Sequence, residues 1–308
     1  MFLTITLNPA VDKIATVEKL QIGQNNPIRL TDSFAAGRGV DVAKVLRELG
    51  YPVTASGFLG GNSTSIFERL FITRGINDAF IRIKDGTRSN MHVIDADGNE
   101  TELMEPSPHI SRTEWKDLGE RIGRILEGCE MAAVCGSVPD GVTPEMFAQL
   151  LGHIRRYDLP LLIDAPAEMI DAVRAAKPDF FKFNRQTIRT ALGGDPTREE
   201  MIAYAKELLA GGIKNVMISL DKDGALLINS DGVFSADAPQ VKVQSSVGSG
   251  GTMIASVAES IVKGRNSVEV LRHAVALAVA NTMTLETAHV VLSDYREIVK
   301  QINVEKIG

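Results

Sequence analysis

The chain has 308 residues, a formal net charge of −6, 44% hydrophobic and 23% charged residues. This composition is ordinary for a globular protein, and the length allows one large core or two modest ones. The acidic balance argues against nucleic acid as a partner, because affinity for phosphate backbones requires a basic face. No apolar run is long enough to span a membrane, and the first residues lack the features of a signal peptide, so we expect a cytoplasmic protein without a membrane partner.

Strand-like and helix-like segments alternate over most of the chain. Two-residue alternation and short apolar runs predict strands at residues 2–7, 53–58, 131–135, 161–164, 180–182, 215–220 and 241–244. Helical spacing predicts helices at residues 39–49, 66–72, 144–156, 167–176, 198–209, 253–262, 267–285 and 293–302. This order predicts an α/β fold with a doubly wound, mostly parallel sheet covered by helices on both faces. Ligands of such sheets bind beyond the carboxyl ends of the strands.

One region departs from this alternation, because short strands follow one another there without helices. Strands are predicted at residues 80–83, 89–95 and 102–104, with turns at Asp85-Gly86 and Asp97-Gly98. Residues 15–18 and 28–34 also have strand-like patterns. We therefore predict two parts. An α/β core comprises residues 1–9, 37–77 and 107–308, and a small β-sheet lid comprises residues 10–36 and 78–106.

The stretch 245–252, Ser-Ser-Val-Gly-Ser-Gly-Gly-Thr, separates a predicted strand from a predicted helix. Gly248, Gly250 and Gly251 would let backbone N–H groups converge where the helix begins. Unpaired amides and the positive end of the helix dipole attract anions. Taken alone, the stretch is equally consistent with a plain strand-to-helix turn. It contains no carboxylate.

Three further positions carry charged side chains that could bind a ligand, two of them an anion and one of them hydroxyl groups. Arg38 lies in a second glycine turn at a helix start, Ala-Ala-Gly-Arg-Gly-Val-Asp-Val-Ala at 35–43, where its cation suits a phosphate or carboxylate. Arg88, in Thr-Arg-Ser-Asn at 87–90, offers a second guanidinium group, and Asp12 lies just past the first strand. Solvated arginines and a turn aspartate are equally consistent with these residues taken singly.

The two cysteines and five histidines show no spacing typical of a metal site. Cys129 and Cys135 are predicted to be buried thiols that act as small apolar residues. The histidines, at positions 92, 109, 153, 273 and 289, are predicted to lie at the surface or at the edge of the core. We predict no metal cluster.

Seven motifs now occur together and in order. They are Thr-Leu-Asn-Pro-Ala-Val-Asp at 6–12, Ala-Gly-Arg-Gly-Val-Asp-Val-Ala at 36–43, Gly-Phe-Leu-Gly at 57–60, Thr-Arg-Ser-Asn at 87–90, Gly-Ser-Val-Pro at 136–139, Lys-Phe-Asn-Arg at 182–185 and Ser-Val-Gly-Ser-Gly at 246–250. With them the chain resembles the PfkB branch of the ribokinase-type carbohydrate kinases over essentially its whole length. Within that branch it is most similar to the 1-phosphofructokinases and tagatose-6-phosphate kinases.

The resemblance implies a ribokinase-like fold and ATP-dependent phosphorylation of a hexose phosphate beneath the lid, with Mg²⁺ as the second cofactor. The implied substrate-binding residues are Asp12, Gly37, Arg38, Gly39, Asp41, Arg88 and Asn90. The implied nucleotide-binding residues are Lys182, Asn184, Ser219, Gly224 and Val247, and those of the anion hole are Gly248, Ser249 and Gly250. No residue is expected to bind the metal directly, and Asn184 would reach it through water. The resemblance also implies a homodimer formed through the lid.

The departures from the family pattern gather at the chemistry. Gly251 occupies the position of the aspartate that serves as catalytic base, and Thr187 that of the glutamate in Asn-x-x-Glu, which organises water around magnesium. Asp41 replaces an asparagine, and Arg38 replaces a lysine. Without a positioned base, the rate typically falls by about 10²–10⁴. Phosphoryl transfer depends mostly on positioning and charge neutralisation, so a slow kinase is compatible with these changes.

Three hypotheses therefore stay open. The first is a hexose-phosphate kinase with impaired activity, and the second is a non-catalytic homologue that binds sugar phosphate or nucleotide as a sensor or partner protein. The third is a kinase of an unphosphorylated sugar or nucleoside, against which Arg38 and Arg88 argue, since a neutral ligand would leave both cations unpaired. On the sequence, Gly251→Asp is expected to raise ATP turnover at least about tenfold, provided that Thr187 has not already abolished magnesium placement.

Overall fold

The computed structural model describes residues 1–308. The strands are β1 (Phe2–Thr6), β2 (Ala10–Thr16), β3 (Arg29–Ala36), β4 (Val53–Gly60), β5 (Asn77–Asp78), β6 (Ile81–Ile83), β7 (Arg88–Ile94), β8 (Glu100–Met104), β9 (Met131–Cys135), β10 (Leu161–Asp164), β11 (Phe180–Asn184), β12 (Asn215–Ser219), β13 (Ala225–Asn229), β14 (Gly232–Ala236) and β15 (Val304–Lys306). The helices are α1 (Arg38–Glu48), α2 (Thr64–Arg74), α3 (Arg112–Leu126), α4 (Pro144–Arg155), α5 (Ile170–Ala176), α6 (Arg185–Leu192), α7 (Arg198–Ala210), α8 (Ser249–Val262), α9 (Ser267–Thr282) and α10 (Leu292–Val299).

The main sheet confirms the predicted doubly wound α/β architecture. Its strand order is β15-β14-β13-β12-β11-β10-β9-β1-β4-β5, and β6 also pairs with β4. The strands from β5 to β12 in this order are parallel, while β13, β14 and β15 are antiparallel to their neighbours. Adjacent residues of β1 enter different apolar clusters, Phe2 one and Leu3 the other. The sheet is therefore buried on both faces, which explains why its strands are continuous apolar runs.

Three differences from the predicted elements have local explanations. Residues 241–244 form no strand, because β14 already pairs with β13 and β15, and Val243 is exposed. The β13–β14 hairpin was not predicted, although Gly232 directly follows its two-residue turn, Ser230-Asp231. Helix α3 was not predicted either, although Ser111 and Glu114 form a capping box at its start.

A second, four-stranded sheet has the order β3-β2-β7-β8. β2 pairs in parallel with β7, and this register sets Asp12 opposite Asn90. The strand predicted at 80–83 is present as β6, but its predicted place in the lid is wrong, because β6 pairs with β4 of the main sheet and its Ile81 is buried in the same apolar cluster as Phe58. The strands of the second sheet that follow residue 78 are therefore β7 and β8 alone.

The parallel strands bring their carboxyl ends to one edge of the main sheet. β10 ends at Asp164, β11 at Asn184 and β12 at Ser219, while β1 leads directly into β2 of the second sheet.

Cys129 and Cys135 are both buried and unpaired, as predicted. None of the helices has the length and apolar character that crossing a membrane requires.

Candidate active site

The first turn of α8 leaves backbone donors open. Gly248 caps the helix with a left-handed φ of +86°, and a Cβ atom there would lie 2.6 Å from the backbone nitrogen of Ala288, so only glycine fits. The backbone N–H groups of Gly250 and Gly251 have no acceptor within the protein. Ser249 accepts a hydrogen bond from Asn281. The positive end of α8 is therefore open to an anion.

Two cations and one carboxylate lie beside this helix end. The ammonium group of Lys182 donates to Asp164 Oδ2 at 2.9 Å, and the guanidinium group of Arg38 donates to Asp164 Oδ1. Lys182 and Asp164 are almost fully buried, and a Cβ atom on Gly250 would lie 3.0 Å from Lys182 Nζ. Burial alone would raise the pKa of Asp164, but Arg38 and Lys182 outweigh it and lower that pKa. Asp164 is therefore held as a carboxylate between two basic side chains.

A cleft of about 830 Å³ lies in front of this cluster. Of the predicted nucleotide-binding residues it is lined by Lys182, Asn184, Ser219 and Gly224, and Arg38, Ser249 and Gly250 also face it. Val247 does not line it, and its carbonyl accepts a hydrogen bond from Asn281. Arg38, which the sequence grouped with the substrate residues, lies instead at the border of this cleft with its charge paired to Asp164.

The side chain of Asn184 caps the start of α6. Its Oδ1 atom accepts hydrogen bonds from the backbone nitrogen and from Oγ1 of Thr187, both at 2.9 Å. Thr187 therefore uses the oxygen that would otherwise be free to orient water. The structure contains no group of three or more His, Cys, Asp or Glu residues that could hold a metal ion.

On the lid side, three predicted substrate residues form a chain of hydrogen bonds. Asn90 Nδ2 donates to Asp12 Oδ1 at 2.9 Å, and Arg88 Nη1 donates to Asn90 Oδ1 at 3.0 Å. Arg88 Nε is buried without a partner, and burial lowers the pKa of Arg88, opposed by Asp12 and Glu102. Arg88 thus holds a partly desolvated cation with unused donor capacity.

His92 joins this group, although sequence reasoning treated it as a scattered histidine. Its Nδ1 atom is 2.7 Å from Glu100 Oε1, and its Nε2 atom is 3.8 Å from Asp12 Oδ2. Asp12 is the largest cause of the rise in the pKa of His92 to about 9. Burial opposes this rise, and Glu100 adds to it. The signal was present in the sequence, because His92 follows Asn90 by two residues and therefore shares its face of β7.

Gly37 and Gly39 bring α1 against the end of β1. Gly37 has a φ of +126°, and a Cβ atom there would lie 2.8 Å from Thr6 Cγ2. A Cβ atom at Gly39 would lie 2.4 Å from Thr6 Oγ1. These glycines permit the close approach that positions Arg38 and Asp41 at the edge of the sheet.

Gly251 permits a second close approach, between α8 and α1. A Cβ atom at position 251 would lie 2.6 Å from Cβ of Asp41 and 2.8 Å from the carbonyl oxygen of Arg38. Asp41 is buried, and its Oδ1 atom has no hydrogen-bond partner. The predicted catalytic position and the predicted substrate residue Asp41 are thus direct neighbours.

Known proteins resemble this chain over most of its length. The sequence matches the family model for pfkB family carbohydrate kinases over residues 6–291. The chain belongs to this family. 1-Phosphofructokinase from Haemophilus influenzae is 35% identical over 277 residues, which are 89% of this chain and 88% of that protein. Tagatose-6-phosphate kinase from Staphylococcus epidermidis is 28% identical over 311 residues, and the match covers 100% of both chains.

Solved structures support the same pfkB-family fold. Phosphofructokinase-2 from Escherichia coli, in complex with substrates and products, superposes with a TM-score of 0.88 at 24% identity and covers 98% of both chains. Ribokinase from Thermotoga maritima superposes with a TM-score of 0.78 at 16% identity, covering 97% of this chain and 99% of that one. At such identities the likeness concerns the fold, and it confirms the ribokinase-like architecture.

Proposed function

We propose that this pfkB-family chain is an ATP-dependent phosphotransferase that acts on a hexose phosphate, of the 1-phosphofructokinase or tagatose-6-phosphate kinase type. The observation that carries the proposal is the arrangement of charge around the open end of α8. Lys182 and Arg38 lie on the cleft side, and Arg88 and His92 lie on the lid side. Two anionic groups are thereby drawn to one helix end, as transfer between a nucleotide and a sugar phosphate requires.

The nucleotide would occupy the cleft. Ser219 and Gly224 border it on one side and Val279 on another, so the base has both polar and apolar surface to contact. Its phosphates would point towards Lys182 and the open amides of Gly250 and Gly251. These groups are held in place before the reaction begins, which is the condition for effective electrostatic stabilisation.

Magnesium would arrive with the nucleotide, because Mg²⁺ is commonly bound by phosphates, waters and one or two protein groups. When bound, it neutralises charge on the transferring phosphoryl group. Asn184 faces the cleft, but its oxygen is held by Thr187, so the protein contribution to metal placement is small. Lys182 and Arg38 supply positive charge in the same region.

The substrate would lie between the cleft and the second sheet, which we propose acts as a lid made of β2, β3, β7 and β8. Asp12 and Asn90 suit sugar hydroxyls, and the unused donors of Arg88 suit an existing phosphate. A neutral sugar would leave the half-buried cation of Arg88 without an anion. Because Arg38 is paired with Asp164, discrimination in favour of a phosphorylated sugar depends on Arg88 more than on Arg38.

Arg88→Met is expected to raise KM for the phosphorylated sugar about 10–100-fold, since hydrogen bonds to charged groups contribute about 1.5–3 kcal/mol. KM for ATP should change little. ADP release from ATP and Mg²⁺ with fructose 1-phosphate and with tagatose 6-phosphate measures both constants. Arg82→Met is the matched control. Arg82 lies on β6, outside the site, and is paired with Asp78 and Glu68.

Absence of ADP with either sugar phosphate at high enzyme concentration would overturn the proposed activity. A second function would then be favoured, that of a non-catalytic protein which binds the same ligands. Gly251 and the engagement of Asn184 by Thr187 support this alternative. Thermal unfolding then tests this alternative, because a ligand at 100 times its Kd stabilises the native state by about 2.7 kcal/mol whether or not it reacts.

We also propose that the protein forms a homodimer through the lid. Both outer strands of this sheet, β3 and β8, have one unpaired edge. They also expose apolar side chains, with Leu30 at 54%, Leu103 at 53% and Met104 at 62% exposure. Exposed apolar edge strands favour association with a second copy.

Light scattering is expected to give the mass of two chains for the parent and of one chain for Leu103→Lys. Ile72→Lys is the matched control, because Ile72 is 80% exposed on α2 and lies outside the lid. A monomeric parent, or a dimer that survives Leu103→Lys and Met104→Lys together, would exclude this interface.

A further inference from the structure

Asp41 is a carboxylate without a structural partner at the open end of α8. Its side chain is 4% exposed, and Oδ1 is buried with no hydrogen bond. Its Cβ atom lies 2.6 Å from the position that a Cβ of residue 251 would occupy. A carboxylate on α1 therefore starts from nearly the same point as one that would extend from the first turn of α8.

The charged groups around Asp41 are engaged elsewhere. On its own helix, Lys44 donates to the carbonyl oxygen of Thr287 and lies 3.4 Å from Glu286 Oε1, while Arg38 is paired with Asp164. Asp12 faces it from β2, and the first turn of α8 carries no charge. An unpaired buried carboxylate costs stability, so its presence calls for a ligand that supplies a donor.

Protonation of Asp41 is tuned close to neutrality. Burial, the largest cause, raises its pKa to about 7, and Asp12 adds to this, while Lys44 and Arg38 oppose it. General bases work best when their pKa lies near the operating pH. Perturbed carboxyl groups are common at catalytic sites.

We infer that Asp41 is the general base of the phosphotransfer, acting from α1 where Gly251 leaves the first turn of α8 without a carboxylate. The inference rests on the proposed function and names the residue that performs its proton transfer. Asp41 lies against Gly251, whose open amide and that of Gly250 suit the transferring phosphoryl group, and Asp12, which suits the sugar hydroxyls, is close enough to raise the pKa of Asp41.

In the proposed proton transfer, the substrate hydroxyl oxygen forms a bond to the terminal phosphorus of ATP, and its proton passes to the carboxylate of Asp41. The bond from that phosphorus to the bridging oxygen breaks, and its electron pair leaves with ADP. Asp41 releases the proton to solvent after the products leave. Lys182 and the amides of the α8 turn stabilise the charge on the phosphoryl oxygens.

Asp41→Asn, which keeps the shape of the side chain, separates this role from a structural one. We expect kcat to fall about 10²–10⁴-fold, with little change in KM for the sugar phosphate and with unchanged or raised thermal stability, since an unpaired buried charge is removed. In the parent, kcat should fall as the pH drops below about 7, and the residual activity of the variant should lack this acidic limb. Asp117→Asn, at an exposed carboxylate on α3, is the control.

The outcomes separate the two proposals. A parent that forms ADP and an Asp41→Asn variant that does so equally fast overturn the inference alone, as does a variant whose only defect is a higher KM. A parent without an acidic limb near pH 7 overturns it even where the variant fails to fold. A parent that forms no ADP with either sugar phosphate overturns the proposed function and this role with it.

Discussion

Asp164→Asn is expected to lower the free energy of unfolding by about 3–5 kcal/mol, the usual cost of breaking a buried ion pair by removing one partner. Lys182, at 2% exposure, would then hold a buried charge without its counter-charge, and Arg38 would lose its anchor. ATP turnover should also fall sharply, because both cations border the nucleotide cleft. Urea unfolding and ADP release measure the two effects.

The pH dependence of this loss has a definite sign. The folded-state pKa of Asp164 is lowered, so the carboxylate contributes stability at pH values above its unfolded pKa, about 3.9, and that contribution is lost as the pH falls through the folded value. The stability difference between parent and variant should therefore shrink only in acid. Asp195→Asn, which breaks an exposed pair with Arg189, is the control and should leave the free energy of unfolding almost unchanged. A similarly small loss for Asp164→Asn would contradict the importance of the buried cluster.

Gly251→Asp is the second substitution with a large expected effect. From the structure we expect a loss of turnover, where the sequence predicted a gain. The new Cβ atom would meet Cβ of Asp41 at 2.6 Å and the carbonyl oxygen of Arg38 at 2.8 Å, so α1 and α8 would have to separate. Such overpacking costs about 1–3 kcal/mol. A second buried carboxylate beside Asp41 would destabilise the ionised forms of both. We therefore expect lower stability and lower ATP turnover.

Unfolding and ADP release again measure this result. Gly152→Asp provides the control, because Gly152 lies in α4 with no atom within 4 Å of its added Cβ. A gain of about tenfold in turnover for Gly251→Asp would show that the two helices separate at little cost. The sequence-based expectation would then be the correct one.

The candidate site shows where local sequence patterns are sufficient. Gly248 and its neighbours indicated an open helix start, and the structure has unpaired amides there, because left-handed glycines and helix caps depend on a few adjacent residues. The motif 182–185 similarly indicated residues that line the cleft, since strand ends in a parallel sheet meet at one edge. The same reasoning from local pattern wrongly placed residues 80–83 in the lid, because the residues of a short strand do not indicate which sheet it joins.

The sequence by itself determined the α/β class, the succession along the chain of most strands and helices of the core, the family, and the glycine turns at the starts of α1 and α8. These features follow from residue periodicity, turn chemistry and ordered motifs, which are local properties. Only the tertiary structure decided that Arg38 pairs with Asp164, 126 positions away, that His92 joins Asp12, and that Asp41 lies against Gly251. Those contacts depend on strand order and on how closely two helices pack, and no pattern within either segment reports the distance to the other.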